Sequence, residues 1–236
     1  MSLVRQLASV IDMSMLHPTH SREEIERGCM EAVRWGVACV FVLPCWVKLA
    51  SNLVCGSDVV VGTVVGFPLG GNESSVKAFE ARKAIHDGAS EIDMVMNIGM
   101  LKSGDDEAVV SDIKAVIEAA REASESKSSK APLIKVILET GYLSEDEVKR
   151  ACELAMASGA DFVKTSTGFG PRGATVDDVR LMRKVVGDRV KIKAAGGIRT
   201  LQQTLELLDA GADRIGTSHA VSILREAQQR DAQGVD

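Results

Sequence analysis

Apolar residues in this chain fall into short, nearly unbroken runs. Eight stand out: VIDMSML (10–16), CVFVL (39–43), VVVGTVVGF (59–67), EIDMVMN (91–97), LIKVILE (133–139), DFVKTS (161–166), VKIKAA (190–195) and RIGTS (214–218). Strict alternation would mark strands with one wet face. Near-continuous runs of this length mark parallel strands covered on both faces. Helical spacing fills the intervals, and one corner recurs, at Gly36, Gly88, Gly159 and Gly211, each with a helical pattern before it and a strand-like run after it. A glycine just past a helix turns the chain directly into the next strand. Helix starts agree. Ser21 with Glu24, and Ser144 with Glu147, have capping-box spacing, and Leu143 with Val148 has the spacing of a hydrophobic staple. Thr175 and Thr200 are N-caps for helices ending near Gly187 and Gly211. The polar stretch REASESKSSKAP (121–132) reads as a surface loop.

Eight βα units in a chain of 236 residues predict a single (β/α)8 TIM barrel over residues 1–236. A doubly wound open sheet is the alternative, weakened by the absence of a GxGxxG fingerprint. Composition narrows the function. Aromatics are 3% of the chain, so aliphatic side chains must fill the core. A net charge of −5 gives no footprint for nucleic acid or an anionic membrane surface. Cys29, Cys39, Cys45, Cys55 and Cys152 are odd in number and form no CxxC pair, which predicts reduced thiols in a cytoplasmic protein rather than a disulfide framework or a zinc site. No run resembles a signal peptide or approaches the roughly 20 apolar residues of a membrane span.

Charges inside the apolar runs change the picture. Lys135, Lys164 and Lys193 stand in the fifth, sixth and seventh runs, Asp93 interrupts the fourth, and Glu139 ends the fifth. Residues near the C-terminal ends of barrel strands line the active-site mouth. Any one lysine could snorkel to solvent. Lys164, Lys193 and Asp93 together point elsewhere. Two close ammonium groups disfavour each other's protonation, and burial acts the same way, so one amine becomes neutral. A neutral amine attacks a carbonyl and forms a Schiff base, and a carboxylate beside it shuttles protons. Lys135 reads as a structural ion-pair partner. Glu139 is either its counter-ion or a group that orients a substrate hydroxyl. Glycines in AAGGI (194–198) and IGTSHA (215–220) suit an anion site after the seventh and eighth strands, with Gly196, Gly197, Gly216 and Ser218 as candidates, and Thr167 and Gly168 supplying further donors. His17 and His219 fall near the mouth, His20 and His86 read as structural or surface residues, and Lys102 as a loop charge.

DFVKTSTGF (161–169), VKIKAAGGIR (190–199) and EIDMVMNIG (91–99) strongly resemble the deoxyribose-phosphate aldolases, and GTVVGFPLG (62–70) and LIKVILETG (133–141) extend the resemblance over most of the chain. It implies a metal-independent class I aldolase on a TIM barrel. Such an enzyme interconverts 2-deoxy-D-ribose 5-phosphate with D-glyceraldehyde 3-phosphate and acetaldehyde, without a cofactor. By motif, it implies Lys164 as the Schiff-base nucleophile, Lys193 as the neighbour that lowers its pKa, Asp93 as the proton shuttle, and the GGIR and GTS loops as the phosphate site. The expected partners are a sugar phosphate and further copies of the chain, in a dimer or tetramer, with neither nucleic acid nor membrane. The chain departs from the pattern in several places. IDMSMLHP (11–18) stands where relatives commonly have IDHTLLKP, so Met13, Ser14 and His17 differ. Phe41, Leu43, Phe169 and His219 also differ, and the tail QQRDAQGVD (228–236) lacks the tyrosine some relatives place there. These changes bear on the mouth and on aldehyde preference. A Schiff-base aldolase with another acceptor, or a barrel that only binds sugar phosphates, stays open from the residues alone.

Overall fold

A computed structural model describes residues 2–126 and 130–233. Eight parallel strands pair in chain order: β1 (Ile11–Met15), β2 (Cys39–Val42), β3 (Val60–Val65), β4 (Glu91–Val95), β5 (Leu133–Ile137), β6 (Phe162–Lys164), β7 (Lys191–Ala195) and β8 (Arg214–Thr217). β8 returns to pair with β1, so the sheet closes into a (β/α)8 barrel and the open-sheet alternative falls. The described helices are α1 (Leu3–Ala8), α2 (Arg22–Trp35), α3 (Val47–Val54), α4 (Ser74–Asp87), α5 (Ile98–Lys102), α6 (Asp106–Ser126), α7 (Glu145–Ala157), α8 (Val176–Val186), α9 (Leu201–Asp209) and α10 (Ala220–Gln233). Among the described residues no helix is long and apolar enough to cross a membrane.

The expected helix ends form. Ser21 and Ser144 make complete capping boxes with Glu24 and Glu147, and Thr175 and Thr200 accept from backbone N–H groups of the first turn. Gly36 and Gly88 close α2 and α4 at φ 64° and 112°, a conformation glycine adopts without steric penalty. The stretch 121–132 differs from expectation. α6 runs on to Ser126 and buries Ala120, Ala123 and Ser124, because these small residues continue its inward stripe at helical spacing. Residues 127–129 of that stretch, and 234–236 of the tail, lie outside the described residues.

Alternation along the strands divides the core in two. Residues such as Ile11, Val40, Ile92, Val136, Val163 and Ile192 point outward and pack with the helices into the main apolar core. Inside the barrel, Cys39, Phe41 and Val64 form a small apolar cluster with Leu16. A Cβ on Gly62 would fall on the Phe41 ring, so the glycine in β3 makes room for the aromatic in β2. Much of the rest of the barrel interior is charged, with the Phe162 ring set beside Lys135 and Arg214.

Candidate active site

Alternation also places Asp12, Glu91, Asp93, Lys135, Lys164, Lys193 and Arg214 inside the barrel. Asp93 pairs in register with Lys135, and Lys164 pairs with Lys193 across the β6–β7 ladder, so the two lysines sit side by side. Asp93 Oδ2 accepts from Lys164 Nζ at 2.8 Å and from Lys193 Nζ at 2.7 Å, while Lys135 Nζ lies 3.1 Å from Asp93 Oδ1. Lys193 also lies 2.6 Å from Asp12 Oδ2, and Arg214 donates to Asp12 Oδ1 at 2.7 Å. Lys135 donates to Glu91, which Arg214 meets from its other side. Asp93, Lys164 and Lys193 are 0%, 3% and 1% exposed.

Three carboxylates (Asp12, Glu91 and Asp93) thus face four basic groups (Lys135, Lys164, Lys193 and Arg214). The buried charges balance when one basic group is neutral. Lys164 has one carboxylate neighbour, Lys193 two and Lys135 three. Burial disfavours the Lys164 ammonium; Asp93 opposes that, and Lys193 reinforces it, leaving the amine lowered to about 8. At Lys135 burial also acts against the charge, but Asp93, Asp12 and Glu91 outweigh it and hold the group above the usual lysine range. At Asp93 burial favours the neutral acid, yet Lys135, Lys164 and Lys193 outweigh it and hold the carboxyl well below its ordinary value. The Phe41 ring lies under this cluster, its centroid 3.6 Å from Lys193 Nζ and 4.5 Å from Lys135 Nζ, and its face favours both cations.

Lys164 also reaches the floor of a cleft of about 530 Å³ at the C-terminal ends of the strands. Gly168, Gly196, Gly197, Gly216 and Ser218 line it with Thr167, so the structure gathers every predicted anion-site residue on one cleft. Their parts differ. Gly196 has φ 90°, and a Cβ there would stand 3.1 Å from Gly173 Cα and 3.4 Å from Gly168 Cα, so the loops after β6 and β7 meet at backbone contact. α10 starts directly after Ser218 and His219, which turns its positive N-terminal end toward this lobe. Gly216 serves the amine end, since a Cβ there would stand 2.9 Å from Lys193 Cε. Thr167 directs both its N–H and its hydroxyl to Glu139. His17 and His219 line the cleft as expected, and His20 joins them although its sequence position suggested a cap neighbour. Lys102 lies in α5 and pairs with Glu147 at 3.0 Å.

Two readings of Glu139 fall together. It is not the counter-ion of Lys135, whose partners are Glu91, Asp93 and Asp12, and it does not line the cleft. Among the described residues it is the one non-glycine with positive φ, at 55°, a conformation that costs on the order of 1–3 kcal/mol. Sequence reasoning passed over Asp12 and Arg214. Asp12 sits in IDM within VIDMSML, the same signal that marked Asp93 in EIDMV. Arg214 opens its run and reads as a solvated strand end. Asp12, Cys39 and Glu91 offer donor atoms close enough for a metal ion, but Lys135, Lys193 and Arg214 already occupy both carboxylates. Burial, with Glu91 and Asp12 nearby, pushes the Cys39 thiol up, away from the thiolate a metal needs.

Known proteins share this framework. The profile described as DeoC/LacD family aldolase matches residues 10–230. A deoxyribose-phosphate aldolase of Thermococcus kodakarensis is 52% identical over 225 residues, covering 94% of this chain and 97% of that protein. One from Caldanaerobacter subterraneus subsp. tengcongensis is 50% identical over 220 residues, covering 93% of each. A solved aldolase superposes with a TM-score of 0.89 at 41% identity, covering 98% of this chain and 99% of that one. A deoxyribose phosphate aldolase from Aeropyrum pernix, described as having a unique tetrameric structure, gives 0.86 at 30% identity, covering 95% of this chain and 92% of that one. The match takes in all eight strands and every charged residue of the barrel interior, and the chain belongs to the DeoC/LacD family of aldolases.

Proposed function

We propose that this aldolase cleaves 2-deoxy-D-ribose 5-phosphate reversibly, through a Schiff base on Lys164. One observation carries the chemistry: a single buried carboxylate oxygen accepts from both Lys164 and Lys193, at the floor of an open cleft. The relatives named above supply the substrate. The neutral Lys164 amine attacks the C1 aldehyde of the open-chain sugar. Asp93 and Lys193 relay the proton that lets the carbinolamine lose water, leaving an iminium. Loss of the C3 hydroxyl proton then breaks the C2–C3 bond. The bonding pair flows into the iminium, which becomes an enamine, and glyceraldehyde 3-phosphate leaves. Protonation at C2 restores the iminium, and water releases acetaldehyde and the amine. The iminium is the electron sink, so the scheme calls on no metal or cofactor. The Gly196–Gly197 and Ser218 lobe holds the phosphate, as its backbone approach and the α10 N-terminus support.

Residues 1–236 act as one catalytic domain in this reading. Five unpaired thiols suit a reducing compartment such as the cytoplasm. The tetrameric Aeropyrum pernix relative supports self-association, and light scattering is expected to give a mass above that of one chain; a monomer at micromolar concentration would remove that part. The central test is borohydride reduction with acetaldehyde, followed by peptide mass spectrometry. A two-carbon adduct on Lys164 is expected. No adduct on folded protein, with no cleavage of the sugar phosphate, would leave a barrel that only binds.

A further inference from the structure

Glu139 is buried, strained and outside the charge network, and the steps above do not use it. In a regular strand, residues 135, 137 and 139 would share one face, and Glu139 would point into the mouth. Its left-handed backbone re-aims the side chain. The turn still lets the ladder continue: Leu138 N–H donates to Lys164 O, and Thr140 N–H to Thr165 O, both at 2.9 Å. The carboxylate then receives Thr167 twice, from its N–H at 3.2 Å and from its hydroxyl. Thr167 Oγ1 in turn accepts from Phe169 N–H at 3.0 Å, and the Phe169 ring packs edge-on against Phe67, with centroids 5.4 Å apart. Gly170 closes over the carboxylate, where a Cβ would stand 2.7 Å from Glu139 Cδ. From the other side Arg172 donates to Thr140 O and pairs with Asp178. The loop between β6 and α8 is thus built around one carboxylate.

We infer that Glu139 is a positioning residue for the phosphate end of the cleft, acting through Thr167 on the loop 167–170 rather than on substrate. This rests on the sugar-phosphate reading above. With Thr167 held, the Gly168 backbone meets Gly196, which Gly173 also approaches, and the anion lobe is set before substrate arrives. A dipolar lobe preset in this way loses no binding energy to ordering a glycine-rich loop. Lys164 keeps its own partner, Asp93, so the amine chemistry does not pass through Glu139.

The test compares D-glyceraldehyde 3-phosphate with unphosphorylated D-glyceraldehyde as acceptors for acetaldehyde, in the full-length protein. Three variants separate the contributions. Glu139→Gly relieves the strained backbone but removes the carboxylate. Glu139→Asp keeps the charge and tolerates positive φ but falls short of Thr167. Glu139→Gln keeps the reach with one acceptor. Expected is a rise in KM for the phosphorylated acceptor of about tenfold or more in the glycine variant, less in the aspartate variant and least in the glutamine variant. KM for D-glyceraldehyde, and borohydride trapping of acetaldehyde on Lys164, are expected to stay as in the wild type. Equal losses with both acceptors, or unchanged KM for both with trapping intact, overturn the inference alone. Loss of trapping in a folded variant also overturns it, by placing Glu139 in the amine chemistry. A wild-type protein that never traps acetaldehyde overturns the aldolase reading, and this inference falls with it.

Discussion

Lys164 and Lys135 carry the same side chain and lie against the same aspartate, yet their amines are driven in opposite directions. The difference is the count of carboxylates within reach, one against three. A residue's chemistry here is set by its neighbours' balance, with four basic groups against three acids. Kinetics can read that balance. kcat/KM for aldol cleavage is expected to rise through about pH 8 as Lys164 loses its proton, and to level above it. In Lys193→Leu the repulsion is gone, and Asp93 attends Lys164 more fully. That limb should therefore move up by about 1–3 pH units; an unmoved limb would refute the role given to Lys193. Lys164→Met removes the unbalanced amine and leaves three bases against three acids. Turnover is expected to fall by about 10⁴-fold or more, while the urea midpoint at pH 7 rises, because the burial that activates the amine also destabilises the fold. A lowered midpoint would show that Lys164 stabilises the barrel as a structural ion.

At the scale of elements, strands and helix caps were legible because their signals are local. Capping boxes span three residues, and buried strands are short apolar runs whose order needs no partner to be read. Each of the eight predicted runs holds its strand. The polar stretch 121–132 misled because its serines and charges hid a helical stripe of small residues, and small buried residues give a weak apolar signal. The fit of β2 to β3 was not legible, since Phe41 and Gly62 are paired in register by the sheet and not by sequence distance. Gly62→Val is expected to push the Phe41 ring into the space of Lys193 and Lys135, at a cost of about 1–3 kcal/mol in stability, with loss of imine trapping. A variant with unchanged Tm and trapping would show that the ring has room to move.

For the whole molecule, closing the barrel is what makes the interior charges stable. Arg214 and Asp12 are joined only because β8 returns to β1, and Asp12, held by Arg214, completes the counter-ion set that Lys193 and Lys135 require. The pH dependence of stability follows. Asp93 has a folded-state pKa below its ordinary 3.8, so its carboxylate stabilises the fold above that pH, and the contribution is lost as pH falls below it. Lys164 gives a slope of the same sign at higher pH, through relief of a destabilisation rather than gain of a stabilising charge. From about pH 8 to 10.5 the unfolded chain holds a proton that the folded chain lacks, so its contribution rises with pH. Urea midpoints measured from pH 3 to 7 are expected to fall steeply toward the acid end in the wild type. Asp93→Asn should start lower, by about 3–5 kcal/mol, and show a shallower fall. Parallel curves for the two would place the acid sensitivity in other groups.

Local sequence specified the elements, their order, the (β/α)8 class and the residues out of place in apolar strands: Lys164, Lys193 and Asp93. It did so because strand and helix periodicity, caps and a stray charge are all readable within a few neighbouring positions. Which charges touch was a matter of closure. Asp93 meets Lys164 and Lys193 from 71 and 100 residues away, and Arg214 meets Asp12 from 202. The partners of Lys135, the lowered pKa of Lys164 and the turning of Glu139 away from the mouth all depend on distances across the barrel. Those distances exist only once the eighth strand has paired with the first.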